Sequence, residues 1–168
     1  MKEIIVITKG LVYFVKVDDE DYDYFDGYKW HITKNGYVRR GSSITKDGIK
    51  IKFTEMIHRE ILNAQQGQIV DHINGDKLDN RKENLRFVTR EQSNQNRKVS
   101  SLSHTGYKGV SLKSDHHKRT RPYEVQISVN GETIWIASCE TAIEAALEYD
   151  DMALIYHGEY ARLNFPEE

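Results

Sequence analysis

Four short glycine-containing turns, each set between β-rich runs, decide what kind of fold this chain can adopt. Lys9-Gly10 separates Ile4–Thr8 from Leu11–Val17. Asn35-Gly36 and Asp47-Gly48 punctuate a meander of Tyr28–Thr33, Gly36–Arg40 and Ile49–Thr54, and Asn130-Gly131 separates Tyr123–Val129 from Thr133–Ala137. Turns this tight join antiparallel neighbours, so small sheets built from local hairpins are expected. Further strands are read at Gln68–His72, Leu85–Val88 and Tyr107–Leu112. Leu85 and Phe87 alternate with Arg86, which predicts one core face and one wet face.

Helices are fewer. The acidic cluster Asp18–Asp26 supports one helical turn or two before Gly27, and Glu55–Leu62 a short helix. Thr89 with Gln92 and Thr141 with Glu144 have capping-box spacing. The first predicts a polar helix over Arg90–Lys98. The second opens a helix on which Ala142, Ala146, Tyr149, Ala153 and Tyr156 recur on one face, with Gly158 as its stop. Residues 99–105, with Ser100, Ser101 and Ser103, read as a linker between parts at 1–98 and 106–166. The expected class is α+β. A β-rich segment leads into a strand–strand–helix core, followed by a three-stranded antiparallel sheet packed on one helix.

Hydrophobic residues make 38% of the 168 and charged residues 30%, an ordinary globular mixture that excludes a wholly disordered or fibrous chain. The aliphatic run Ile4–Ile7 is far too short for a membrane span or a signal-peptide core, so a cytoplasmic protein with no membrane partner is expected. Cys139 stands alone, which excludes an internal disulfide or a cysteine zinc cluster and suits a reducing compartment. The net charge of −2 conceals a sorted distribution: −3 over residues 1–30, +10 over 31–123 and −9 over 124–168. A basic middle between acidic flanks suits a polyanion held by the centre of the chain.

The densest chemistry lies between Val70 and Arg86. Asp71 offers a hard divalent ion the oxygen ligand it prefers, and neighbouring His72 can take the proton from an attacking water. Adjacent residues of an extended strand point to opposite sides, so ion and base could flank one scissile phosphate.

His58-Arg59, Val70-Asp71-His72-Ile73-Asn74-Gly75-Asp76, Leu78-Asp79-Asn80, Glu83-Asn84-Leu85-Arg86, Val88-Thr89 and Asn96-Arg97 together resemble the HNH endonucleases, in their homing-endonuclease-like branch common in bacteriophages. The resemblance implies a β-β-α metal core. His72 takes the general base's position, Asp71 the first metal ligand's, and Asn84 that of the catalytic-motif asparagine that clamps the loop by backbone hydrogen bonds. The family's second metal ligand is an Asn or His 22 residues after the aspartate; here that position is Ser93, with Asn94 beside it as a substitute. The implied cofactor is a divalent metal, magnesium with manganese as a substitute, and zinc stays open. No small-molecule cofactor is expected. Arg59 reads equally as a solvated helix residue or as a hold on DNA near the metal.

A second resemblance runs through Tyr107-Lys108-Gly109-Val110, Tyr123–Ile127, Ile134-Trp135-Ile136, Thr141–Tyr149 and Ala161-Arg162-Leu163-Asn164-Phe165-Pro166. These residues are similar to the Apetala-two/ethylene-response-factor DNA-binding domain, which lays a three-stranded sheet in the major groove. Alternation sends Val125, Ile127, Val129, Ile134 and Ile136 toward the helix, and Glu124, Gln126, Ser128, Thr133 and Trp135 outward. Ser111, Ser128 and Thr133 stand where that family carries arginines, so its target sequence does not transfer.

Together the two resemblances imply a monomeric, metal-dependent, sequence-targeted endonuclease acting on double-stranded DNA inside a phage-infected bacterium. Its DNA contacts would come from Arg59, Arg86, Arg90, Arg97, Lys98, Lys108, Lys113, Arg119, Arg121, Gln126 and Trp135. The alternative is a catalytically weakened DNA-binding regulator, which Ser93 favours.

Overall fold

The computed structural model describes residues 1–100 and 102–166. It is α+β, and the chain divides into two compact units, Met1–Thr89 and Arg90–Glu168. That division places 90–98 with the C-terminal unit. Of the expected linker, Ser101 lies outside the described residues.

In the first unit, β1 (Lys2–Thr8) and β2 (Leu11–Val17) form a hairpin in which Ile4 faces Val15 and Val6 faces Tyr13. The residue before the glycine takes a positive φ at Lys9 (53°), as it does at Asp47 (51°) and Asn130 (54°) in the other two tight hairpins. Paired positive φ values are the type I′ geometry whose twist matches the strands it joins. Asn35-Gly36 behaves differently. Gly36 N–H donates to Thr33 O at 2.9 Å and Thr33 pairs with Tyr37, so the connection is one residue longer than a tight two-residue turn.

The acidic cluster forms α1 (Asp19–Asp26), whose carboxylates Asp19, Glu20 and Asp21 lie in the first turn where the helix dipole favours them. Its Phe25 is buried, and Trp30 Nε1 donates to Phe25 O at 2.7 Å. Next come β3 (His31–Ile32), β4 (Val38–Lys46) and β5 (Ile49–Met56), an antiparallel meander. β4 runs past the expected end at Arg40 because β5 pairs with it through to Ile49. α2 (Ile57–Ile61) follows, then β6 (Ile69–His72) and β7 (Leu85–Val88), paired antiparallel. The core gathers Ile4, Val6, Val15, Val17, Phe25, Trp30, Val38 and Ile57.

One expectation fails in β7. Leu85 is 6% exposed but Phe87 is 46% exposed. Phe87 stays open although its register partner Val70 is 8% exposed, so alternation gives the direction of the side chain but not its burial.

In the second unit, α3 (Arg90–Gln95) precedes β8 (Val110–Leu112), β9 (Tyr123–Val129) and β10 (Glu132–Cys139), which form an antiparallel sheet in the order β10-β9-β8. β8 is shorter than Tyr107–Leu112, and a bulge falls between Trp135 and Ala137. α4 (Ala142–His157) begins with the expected Thr141–Glu144 capping box and is followed by Gly158. Ala145, Ala146, Tyr149 and Ala153 pack against Val110, Val125, Ile127 and Cys139. The alanines allow the close helix–sheet approach, and burial pushes the Cys139 thiol up. The buried stripe closes on His157, not on Tyr156, which is 44% exposed. His157 Nε2 meets Ser128 O at 2.9 Å, a polar anchor that hydrophobic periodicity does not register.

Candidate active site

β6 places Asp71 and His72 on its two sides. The Asp71 carboxylate is partly exposed and has Arg86, its register partner on β7, at 3.4 Å. His72 is 4% exposed. Its Nε2 lies 3.1 Å from Asn80 Oδ1, and its ring meets that of His58 edge-on at 5.1 Å between centroids. Tyr37 packs against both imidazoles, at 5.2 Å from His58 and 6.2 Å from His72.

Burial sets the protonation of the pair. It pushes His58 down to about 3, helped by the charge of His72, and lowers His72 as well. For His72 the Asn80 bond and the Asp71 charge pull the other way. Both rings are neutral at neutral pH, the state a proton acceptor needs.

The loop between β6 and β7 is held by its own side chains. Asn84 Oδ1 accepts from Asn74 N–H at 3.0 Å, while Asn84 Nδ2 donates to Asn74 Oδ1 at 3.0 Å and to Asp79 O at 2.8 Å. Both of its amide hydrogens are used within the loop, so its part here is to hold the chain. Asp79 is 2% exposed, and Arg81 grips its carboxylate with two bonds of 2.8 and 2.7 Å. The Arg81 guanidinium keeps that carboxyl below the usual carboxylate range. The loop is tied to β2 as well, through Lys16 N–H to Leu78 O and Asn80 N–H to Lys16 O, both 2.8 Å.

Arg59 lies on α2, and its guanidinium donates to three backbone carbonyls, Gln68 at 2.5 Å, Gln65 at 2.9 Å and Ala64 at 3.4 Å. Those carbonyls belong to the connection that feeds β6, so Arg59 fixes the strand carrying Asp71 and His72.

The other candidates lie in the C-terminal unit. Ser93 is half-buried on α3 and Asn94 is exposed. A hollow of about 780 Å³ is lined in part by Arg90, Asn94, Arg97, Lys108 and Gln126. A second, of about 480 Å³, shares Asn94, Arg97, Lys108 and Gln126 and adds Lys98. Lys108 donates to Gln95 O, and burial pushes its ammonium down to about 8. Lys113 pairs with Glu124, Arg119 with Asp115 at 2.7 Å, and Arg121 lies 3.9 Å from Glu140. Val125 and Ile127 are buried, Val129, Ile134 and Ile136 pack against the same core, and Trp135 is 58% exposed on the opposite side with Gln126 also exposed.

The sequence pattern includes His58, Asp79 and Asn80 but gives no sign that Asn80 and His58 meet His72 or that Arg81 pairs with Asp79. Three consecutive polar residues in a loop look solvated. Only the tertiary fold reveals that Asp79 and Asn80 are among the most buried side chains of the unit.

A family model for HNH endonucleases matches residues 64–95, which span β6, the clamped loop, β7 and α3. The chain is also 32% identical over 158 residues to the uncharacterized HNH endonuclease L560 of Acanthamoeba polyphaga mimivirus, an alignment covering 93% of this chain and 76% of the viral protein. The chain belongs to the HNH endonucleases. A shorter likeness, 49% identity over 41 residues, links this HNH endonuclease to the dehydration-responsive element-binding protein 2E of Arabidopsis thaliana. It covers 24% of this chain and 17% of the plant protein, a partial hint of an Apetala-two-like segment. No solved structure matches the chain. Among the described residues, no helix is long and apolar enough to cross a membrane.

Proposed function

We propose that this HNH endonuclease is a metal-dependent, sequence-targeted enzyme of homing type that hydrolyses phosphodiester bonds in double-stranded DNA. The observation that carries the reading is the β6 strand, with a part-exposed carboxylate on one side and a buried, neutral imidazole on the other.

The donor chemistry fits a hard divalent ion. Asp71 brings carboxylate oxygens, while the amides of Asn80 and Asn84 are already engaged elsewhere. An ion held through one protein carboxylate, with water and phosphate oxygens completing its shell, is the habit of magnesium, for which manganese can substitute. When bound, it would neutralise charge on the phosphoryl oxygens. His72 takes a proton from water as the water oxygen bonds to phosphorus. The bond from phosphorus to the 3′ oxygen breaks, that oxygen takes a proton from solvent water, and His72 returns its own proton to solvent, leaving a 5′-phosphate and a 3′-hydroxyl. Arg86, beside Asp71, is placed to hold the phosphate backbone.

The C-terminal unit serves as the reader. Its sheet turns Gln126, Ser128, Thr133 and Trp135 to solvent, and a three-stranded ribbon of this width can enter a major groove. Arg90, Arg97, Lys98 and Lys108 around the adjoining hollows supply positive charge for phosphates. Tethering reader to nuclease raises the local concentration of the catalytic residues at one locus.

The test is incubation with a mixed pool of supercoiled plasmids in manganese, beside a chelator control and Asp71→Ala. Nicking or linearisation that needs both metal and Asp71 supports the enzyme. A retarded DNA band with no cutting overturns it in favour of a DNA-binding regulator, for which the serine at position 93 would be the reason.

A further inference from the structure

We infer that the outer face of the β1–β2 hairpin is the contact surface for a second copy of this chain, joined about a two-fold axis parallel to the strands. The inference is independent of the nuclease reading and departs from the monomer expected from the sequence.

Directly opposed residues of an antiparallel pair share a face. The register puts Ile4 with Val15 and Val6 with Tyr13 on the core side. It puts Glu3 with Lys16, Ile5 with Phe14 and Ile7 with Val12 on the other. Ile5, Ile7, Val12 and Phe14 are each more than half exposed. A hairpin with one face on the core ordinarily turns polar residues outward. Here the outer face is apolar too, and four adjoining aliphatic and aromatic side chains in water mark an interaction surface, unlike hydrophobes scattered singly. The hairpin's edges are engaged already. Lys16 N–H bonds Leu78 O and Lys16 O accepts from Asn80 N–H on the β2 side, and Thr8 Oγ1 accepts from Ile32 N–H at 3.0 Å on the β1 side. What the hairpin has left to offer is its face.

Charge selects the occupant. Residues 1–30 carry a net −3, and α1, which packs beside β1, opens with three carboxylates, so DNA phosphates and anionic lipid headgroups are repelled from this part of the unit. A second copy is matched instead. A half-turn about an axis parallel to the strands, midway between two facing hairpins, lays β1 of one copy over β2 of the other at the same height. Ile5 then meets the partner's Phe14, Ile7 the partner's Val12, and Glu3 the partner's Lys16. Every apolar side chain faces an apolar one and the acid faces the base, in a contact that repeats itself on both copies and closes at two. Sheets stacked face to face lie about 10 Å apart, a gap that Glu and Lys side chains bridge from opposite sides. Four side chains fall short of the roughly 800 Å² per partner of a standard interface, so the dimer is a weak one.

The test is sedimentation equilibrium of the full chain, without DNA or metal, with folding followed by the fluorescence of buried Trp30. The parent should pass from the mass of one chain toward that of two between about 10 and 300 µM, the range of a weak interface. Ile5→Thr with Phe14→Thr keeps strand-forming residues and should weaken the association about 10-fold or more. Glu3→Lys and Lys16→Glu each set like charges in both of their contacts and should weaken it about 3-fold. An equimolar mixture of those two variants should associate better than either alone, since every contact between unlike copies then pairs opposite charges. Mixing cannot change the Glu3–Lys16 pairing within a chain, so recovery reports contact between copies. A parent that keeps the mass of one chain up to about 300 µM overturns the proposal. Undiminished association in a folded Ile5→Thr/Phe14→Thr overturns the face, and a mixture no better than its components overturns the two-fold register, which keeps the proposal testable if the threonine variant fails to fold. A parent that is monomeric yet held by zwitterionic lipid vesicles overturns it in favour of a lipid surface. Because neither DNA nor metal is present, failure of the nuclease reading would leave the result standing.

Discussion

Replacing Arg81 with methionine removes the partner of a carboxylate that solvent cannot reach. The Asp79 side chain is 3% exposed and takes two bonds from Arg81, with a third from Asn74 Nδ2 at 3.1 Å. Breaking a buried pair by deleting one member costs about 3–5 kcal/mol, because the remaining charge is left uncompensated. Arg81 is itself 28% exposed and the Asn74 bond persists, so the lower end, about 3 kcal/mol, applies. The pH dependence should change sign too. In the parent, Arg81 holds the Asp79 carboxyl below its ordinary value, so its stabilisation is complete above about pH 4 and is lost as pH falls through the lowered value. Without Arg81 burial dominates, the carboxyl is raised, and the penalty grows as pH rises above about 4, where the unfolded chain ionises first. Urea unfolding followed by the fluorescence of buried Trp30 reads this unit. The loss in Arg81→Met relative to the parent should shrink between pH 7 and pH 5, and adding Asp79→Asn should recover part of it. A loss below about 1 kcal/mol that neither acid nor Asp79→Asn alters would refute the reasoning.

Two further outcomes follow from packing and burial. In Gly109→Ala, the new Cβ would lie 1.9 Å from Tyr149 Cδ2, in a backbone at φ 74° that disfavours any side chain, so the C-terminal unit should lose about 3 kcal/mol or more; a loss under about 1 kcal/mol in chemical denaturation would show that the ring can move. His58 is held down to about 3 against 6.5 unfolded, so from pH 6.5 downward the unfolded chain gains a proton that the folded one resists, and stability falls. At about 1.4 kcal/mol per pH unit, His58→Gln should remove about 2 kcal/mol of the destabilisation between pH 6.5 and pH 5, and parallel stability curves for parent and variant would contradict it.

The parts of this fold that were legible in sequence are those specified locally. Type I′ turns at Lys9, Asp47 and Asn130 and the Thr141–Glu144 box are written in neighbouring residues, and the structure has them. The inward and outward alternation of β9 and β10 was legible because one helix covers one face of that sheet. Legibility ended where partners are distant. Phe87 fits the core pattern yet is exposed, because alternation says which way a side chain points and not whether anything lies there. Asp71, His72 and Asn84 stood out as a pattern. The seating of His72 by Asn80, His58 and Tyr37 did not, since those contacts join positions 8, 14 and 35 residues away. Arg59 looked as much like a surface charge as a DNA contact. Only the path of the backbone between α2 and β6 shows three carbonyls converging on it.

The most direct test of the central claim is the single-turnover rate at which parent and His72→Ala cut a mapped duplex in manganese, with folding matched by Trp30 fluorescence and DNA affinity measured on the same preparations. A loss of about 10²–10⁴-fold in rate, with affinity held within about twofold, is the expected result for removal of a general base. Cleavage by His72→Ala within about threefold of the parent would contradict it.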